Sequence, residues 1–366
     1  MNTILETTIT YLKSVAGRLV LMFAVPAASL WMILAVWFSN LPGRVLPVFA
    51  AVAVSVTMVV ILAVVRSRWQ AIGLIFSLFA VIYLWHLLIP PSNDRDWQPQ
   101  VARLSTANFS DAGDIVTIHN IRNFSYRSRN DFDARYYDKA FTLSKVQGVD
   151  LIVSYWGNDA MAHTFLSFEF AEGIHLAISI EIRPETGEVY NPLAGMFKQY
   201  EIIYVIGDEQ DLIRLRTNYR DEETYLYQST ASPEQARKLL AEILTRVNQL
   251  ANKPAYYETI RENCTTSLVK HVNKILVDDI TLSWRLLFNG FSDKLAFMKG
   301  NIRKALSFQE LKAACFISDI ARSLGHDPKF SKKIRAHIRK NINTRKKNAP
   351  IQYQSAIPAP ENQNGH

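Results

Sequence analysis

The chain has 366 residues, 49% hydrophobic and 20% charged, with 41 Lys and Arg against 33 Asp and Glu for a net charge of +8. Lys332, Lys333, Arg335, Arg339, Lys340, Arg345, Lys346 and Lys347 lie together without an acid or an aromatic, so the rest is balanced and the interleaved pattern of a nucleic-acid binder is missing. Two cysteines with no CxxC pair, no HExxH and no phosphate-binding glycine loop leave metal, cofactor and nucleotide chemistry without support.

Residues 1–91 read as a transmembrane region. Three apolar runs, about Leu19–Phe38, Val45–Val65 and Ala71–Pro90, each approach the ~20 residues that a spanning helix needs. Lys13, Arg18, Arg66 and Arg68 flank one side, Arg44 and Arg95 the other, so the positive-inside rule puts the N-terminus in the cytoplasm. Three spans then carry everything after residue 92 across a bacterial inner membrane into the periplasm. His86, beside Trp85 near the end of the third run, is expected at the interface. Residues 92–112 are expected as a linker, 113–340 as a globular domain and 341–366 as a disordered basic and polar tail. The basic run suits either anionic lipid headgroups or simple solvation.

In the soluble part, Ile115–His119 and Leu151–Trp156 read as strands around a polar loop from Asn120 to Asp138. Residues His163–Phe170 and Ile174–Arg183 alternate apolar and polar side chains around Ala171-Glu172-Gly173, a hairpin signature. Pairing Phe170 with Ile174 aligns the apolar faces and sets His163 opposite Glu181. Further strands are expected at Ile202–Ile206, Leu212–Thr217 and Tyr225–Gln228. Ser232-Pro233-Glu234-Gln235 opens a helix running to about Ala251, and Ser307-Phe308-Gln309-Glu310 opens another that buries Leu311, Cys315 and Leu324 before Gly325. The fold class is therefore α+β, with an antiparallel sheet and packed helices behind three transmembrane helices.

Cys264 follows Asn263 at the start of an amphipathic stretch, where helix N–H groups favour thiolate. It is either a nucleophile or a small buried residue, and a disulfide with Cys315 is a third possibility. A nucleophile needs a base and a group that orients the base, and His163 and Glu181 supply both. His175 and His271 rank below His163. Asn263, Thr265, Arg183 and Trp156 are candidate substrate-binding residues, and Arg183, Arg214 and Arg216 are suited to a carboxylate or phosphate.

The segments Ile121-Arg122-Asn123-Phe124, Ala162-His163-Thr164-Phe165-Leu166-Ser167-Phe168, Ser179-Ile180-Glu181-Ile182-Arg183, Pro192-Leu193-Ala194-Gly195, Arg214-Leu215-Arg216-Thr217-Asn218-Tyr219-Arg220 and Asn263-Cys264-Thr265-Thr266 resemble the Lnb N-terminal periplasmic domain family over roughly residues 100–340. A histidine strand ahead of a cysteine helix is also similar to circularly permuted papain-like hydrolases, including the NlpC/P60 relatives and lecithin–retinol acyltransferases. That likeness implies His163 as base, Cys264 as nucleophile and Glu181 as the third polar group. The expected function is a membrane-anchored cysteine hydrolase or acyltransferase acting on an amide or ester of an envelope substrate, a peptidoglycan peptide or a lipid or lipoprotein acyl group. The alternative is a non-catalytic envelope binding or scaffolding module with a structural Cys264.

Overall fold

The computed structural model describes residues 15–39, 41, 43, 45–275, 280–281 and 283–348, which divide into two compact units. The first unit holds the residues up to Asn93 together with Glu188–Glu201 and Ala255–Thr259. Its helices α1 (Val15–Trp37), α2 (Val45–Val64) and α3 (Arg68–Leu88) are each long and apolar enough to cross a membrane. Within α1 the turn Val20–Ala24 widens to π geometry just ahead of Pro26, whose ring would clash with a regular preceding turn and whose nitrogen has no proton to donate. Val25, Met32, Val36, Met58, Ile72, Ile75 and Ile82 pack between the helices. Phe23, Leu30, Val59, Val81 and Leu84 stay more than half exposed, as helices apolar on every side require for lipid. Lys13 and Arg44 lie outside the described residues.

The second unit holds Asp94–Gly187, Ile202–Pro254 and the residues from Ile260 onward. Its strands are β1 (Thr106–Phe109), β2 (Ile115–Arg122), β3 (Ser125–Tyr126), β4 (Phe132–Asp133), β5 (Tyr136–Thr142), β6 (Val146–Tyr155), β7 (Ala162–Phe170), β8 (His175–Arg183), β9 (Glu201–Asp208) and β10 (Glu223–Gln228). The main sheet runs β1-β2-β9-β8-β7-β6-β10, with β5 also on β2 and β3–β4 as a separate ribbon. It is mixed, since β2 and β9 pair in parallel at Arg122 and Gly207. The helices are α4 (Glu209–Arg214), α5 (Pro233–Asn252), α6 (Cys264–Asn273), α7 (Trp284–Leu287), α8 (Ser292–Lys299), α9 (Phe308–Ala314), α10 (Ser318–Leu324) and α11 (Phe330–Asn348). An α+β domain behind three apolar helices is thus present.

Hairpin β7–β8 adopts the expected register, with Phe165 opposite Ser179 and Glu169 opposite His175. Glu172 and Gly173 turn it at φ 71° each, in the left-handed region that glycine enters without strain. The polar face of the hairpin is closed, with His163, Ser167 and Ser179 all buried. The capping box of α5 forms between Ser232 and Gln235.

Several expected elements differ. Residues 92–112 are not a plain linker, because β1 pairs with β2 there. Residues 120–138 contain the β3–β4 ribbon and the start of β5. Leu212–Thr217 is helical, as α4 and a following π turn Leu215–Tyr219. Its alternation of apolar residues with arginines mimics a half-exposed strand, but Arg214 and Arg216 are buried on partners of their own. The helix expected from Ser307 to Leu324 breaks at Cys315–Ile317. There the edge strand β10 captures the backbone, with Leu226 N–H donating to the Cys315 carbonyl and Ile317 N–H to that of Thr224. The last helix continues to Asn348, past the expected boundary at 340, with Ile334, Ile338 and Ile342 on one face packed into the core. Residues 349–366 lie outside the described residues.

Arg335 of α11 is buried and donates to Asp150 Oδ2 at 2.6 Å, Glu209 Oε1 at 2.7 Å and Glu209 Oε2 at 2.9 Å. Burial pushes the Glu209 carboxyl up, but Arg335 outweighs it and holds the group down at about 2. Removing the guanidinium would strand two carboxylates in the core. Arg335→Met is expected to destabilise the domain by about 3–5 kcal/mol, read as a lowered midpoint in urea unfolding. A midpoint equal to the parent's would show that the pair contributes nothing net.

Candidate active site

Cys264 owes its position to its neighbours. The Asn263 side chain accepts from Thr266 N–H at 2.8 Å, and Asn263 N–H donates to Thr266 Oγ1 at 2.9 Å, a reciprocal cap. Cys264 is therefore the first residue of α6, beside N–H groups without helical acceptors and at the positive end of the helix dipole. The residue is 3% exposed, and its thiol lies within electrostatic reach of the His163 imidazole. Asn289 Nδ2 donates to the sulfur at 3.3 Å, and Thr265 Oγ1 stands 3.9 Å from it.

Behind His163 lies a chain of buried polar groups. Its Nε2 meets Ser179 Oγ at 2.6 Å, and Ser179 donates onward to Glu181 Oε1 at 2.7 Å. Glu181 Oε1 itself stands 3.3 Å from Nε2. Since Ser179 gives its proton to Glu181, its oxygen accepts from Nε2–H, which leaves Nδ1 outside this chain of hydrogen bonds. Arg216 Nη2 donates to Glu181 at 2.6 Å and Nη1 to Glu222 at 3.3 Å, and Ser154 donates to Glu222 at 2.7 Å.

The structure brings Cys264, His163 and Glu181 together, with Ser179 set between the last two. Asn263 and Thr265 adjoin them, Asn263 as a cap and Thr265 through Thr164, 2.9 Å between their hydroxyls. Arg183, a candidate for substrate binding, is instead committed elsewhere. It donates to the Val101 and Ala102 carbonyls and lies over the Trp97 ring at 4.3 Å. Trp156 is half-buried at the turn between β6 and β7. Arg214 holds His326 and Tyr219. Of the other histidines, His175 bonds the Gly173 carbonyl and His271 bonds Tyr204. Both cysteines are free thiols, so no disulfide joins them.

Two site residues escaped the sequence reading. Ser179 was within reach of it, because Ser179 and Glu181 share the face of β8 that opposes His163. Asn289 carried no signal, since it stands in an aperiodic segment 25 residues after the cysteine.

Burial and the Arg216 cation press the His163 pKa down, yet Glu181 and Cys264 outweigh them and raise it to about 9. Burial raises the Cys264 thiol, but His163, the Thr164 backbone and the Thr265 hydroxyl bring it below its ordinary value. Each group thus stabilises the charged form of the other. Because the folded value for His163 exceeds its unfolded one, its stabilisation is whole below about 6.5 and is lost as pH rises through about 9. Cys315 is the contrast, pushed up to about 12 by burial with Asp150 and Asp293 nearby. At pH 7, iodoacetamide is expected to modify Cys264 well ahead of Cys315, and His163→Gln to slow that modification about tenfold. Equal, slow labelling of both thiols would count against an activated sulfur.

Among the described residues, no group of three or more His, Cys, Asp or Glu side chains could hold a metal ion. Residues 132–290 match the family of the Lnb N-terminal periplasmic domain. That span takes in His163, Ser179, Glu181, Cys264 and Asn289, and leaves Ile121-Arg122-Asn123-Phe124 outside it. No curated protein and no solved structure matches the chain. The match over residues 132–290 to a periplasmic domain family, together with three helices long and apolar enough to cross a membrane, points to an inner-membrane protein with a periplasmic domain.

Proposed function

We propose that this domain is a thiol acyl-transfer enzyme of the cell envelope, with Cys264 taking an acyl group from a lipid or lipoprotein donor and passing it to water or an amine. The observation that carries the reading is a cysteine–histidine pair whose chain neighbours Thr265 and Thr164 line a mainly apolar cavity. The cavity holds about 310 Å³ and is lined by Leu268, Val269 and Val272 of α6, Leu166 of β7, and Leu295 and Ile302. Thr164 and Thr265, each one residue from a member of the pair, also line it. A hydrocarbon chain suits such walls, each buried methylene contributing about 0.8 kcal/mol. A peptidoglycan peptide would bring amides and charges to walls that are mainly apolar, although Asp150, Gln235 and Asn301 also line them, so the acyl substrate is favoured over the peptide.

In this reading the Cys264 thiolate attacks the acyl carbonyl carbon, and the electron pair of the carbonyl moves onto oxygen. Collapse of that intermediate breaks the bond to the leaving oxygen, which takes the proton from imidazolium His163, and an acyl thioester on Cys264 remains. His163 then accepts a proton from the attacking water or amine, and the second collapse returns the thiolate. Ser179, Glu181 and Arg216 keep the ring oriented through both steps.

Backbone N–H groups at the start of α6 and Asn289 Nδ2 would receive the negative oxygen. Support for Asn289 comes from how firmly the backbone beside it is held. A side chain at the next residue, Gly290, would collide with the Asp159 carbonyl. Gly290 N–H donates to Ala160 and its carbonyl accepts from Tyr155 Oη at 2.9 Å. The order of histidine strand and cysteine helix also supports a permuted papain-like architecture, and Arg18, Arg66 and Arg68 near one set of helix ends support a cytoplasmic N-terminus.

Incubation with a long-chain acyl ester is expected to yield a hydroxylamine-sensitive acyl adduct on Cys264. Cys264→Ala should abolish both adduct and turnover at an unchanged melting temperature. A Cys264→Ala protein that retains its envelope phenotype would favour the scaffolding alternative. Asn289→Ala is expected to lower kcat about 10²–10³-fold with little change in KM. Turnover should also fall as pH rises through about 9, where His163 loses its proton, and a profile flat to pH 10 would remove it as the acid.

A further inference from the structure

We infer that residues 188–201, which run from the end of the β8 region into β9, form a lipid-contacting segment seated at the headgroup–acyl boundary of the membrane. The inference does not depend on the chemistry of Cys264.

Its basis is the membership of this segment in the unit of the three apolar helices. Phe197 is buried there among Trp31, Phe38 and His86, with ring centroids 6.1, 6.2 and 6.5 Å away. Lys198 donates to the carbonyls of His86 at 2.7 Å, Leu87 at 3.1 Å and Ile89 at 3.4 Å, where α3 ends and its last carbonyls lack helical donors. The segment thus closes the end of α3 with a cation and completes an aromatic cluster at the end of the helices, the composition of a membrane interface.

The outer surface of the segment is apolar. From Val189 to Phe197 there is no charged residue. Val189 is 80% exposed, Met196 43%, Leu193 41% and Tyr190 39%, although the buried cluster beneath is complete without them. Water is a poor neighbour for that surface, and its continuity with the lipid-facing sides of α1–α3 names the occupant as lipid.

Backbone bonding fits the same setting, since polar groups near hydrocarbon must be satisfied by the protein. Asn191 Oδ1 accepts from Leu193 N–H, and Gly195 N–H donates to the Asn191 carbonyl. The Val189 carbonyl accepts from Tyr200 Oη at 2.7 Å, and that of Pro192 from Thr259 Oγ1 at 2.7 Å. A segment that binds its own amides this way can rest in an interface without exposing bare peptide groups.

Two measurements on the full chain in phosphatidylcholine–phosphatidylglycerol vesicles test the inference. With p-benzoylphenylalanine at position 193 or 196, irradiation is expected to give lipid adducts, as it should at Leu84 on α3, and none at Arg129 in the β3–β4 loop. Adducts at Leu84 alone would overturn it. In the unsubstituted chain, a membrane-impermeant oxidant should modify Met196 several-fold more slowly than Met298, although their exposures in the protein are close, 43% and 54%. Equal oxidation rates would likewise overturn it, and they need no variant to fold.

Discussion

A buried ion pair is tolerable only where its remaining charge and hydrogen-bonding capacity are met inside the protein. At Cys264 and His163 the surrounding polar groups come from two strands and a helical turn. Ser179 and Glu181 come from β8, Arg216 from the turn after α4, and Ser154 from β6, which pairs directly with β7 at His163. Each member fills a lone pair or proton of the next, so the imidazole ring has one orientation and one free nitrogen. The sulfur needs the helix start as well, and the Asn263–Thr266 cap fixes where that start falls. Sheet register and helix cap together decide whether the pair meets.

Much of this was legible in the residues because local rules were strong there. The apolar runs exceed the length a soluble helix needs. The hairpin pattern admits a single register, since a slip by one would turn isoleucines onto the histidine face. What escaped was whatever depended on distant partners. Arg214 and Arg216 look like the exposed side of a strand until Glu181, Glu222 and His326 arrive from elsewhere in the chain. The break at Cys315–Ile317 is imposed by the free edge of β10, which no helix propensity contains. Asn289 reaches the thiol through tertiary packing of an irregular turn, and the polar face of β7–β8 is closed by helices that alternation cannot count.

The core is stitched with arginines to an unusual degree. Arg122 donates in parallel to both oxygens of Asp211, which also accepts the Phe124 N–H. Arg183 is gripped by carbonyls and an indole, Arg216 by two glutamates, Arg335 by an aspartate and a glutamate. Guanidinium suits this work because its planar fork can meet a carboxylate with two bonds and can stack on rings. Such contacts add less net stability than hydrocarbon of the same volume, but they penalise every arrangement that mispairs them. They therefore favour one packing of sheet against helices, which the site needs for its geometry.

The grip of Asp150 and Glu209 on Arg335 also bears on how the domain is made. Those carboxylates lie on β6 and α4, laid down long before α11 in chain order. A nascent chain that has delivered only the sheet holds two acids with no counterion at its centre, and their hydration keeps that centre wet. Closure of the interior is thus expected to wait for α11, which follows every other described element of the domain in chain order.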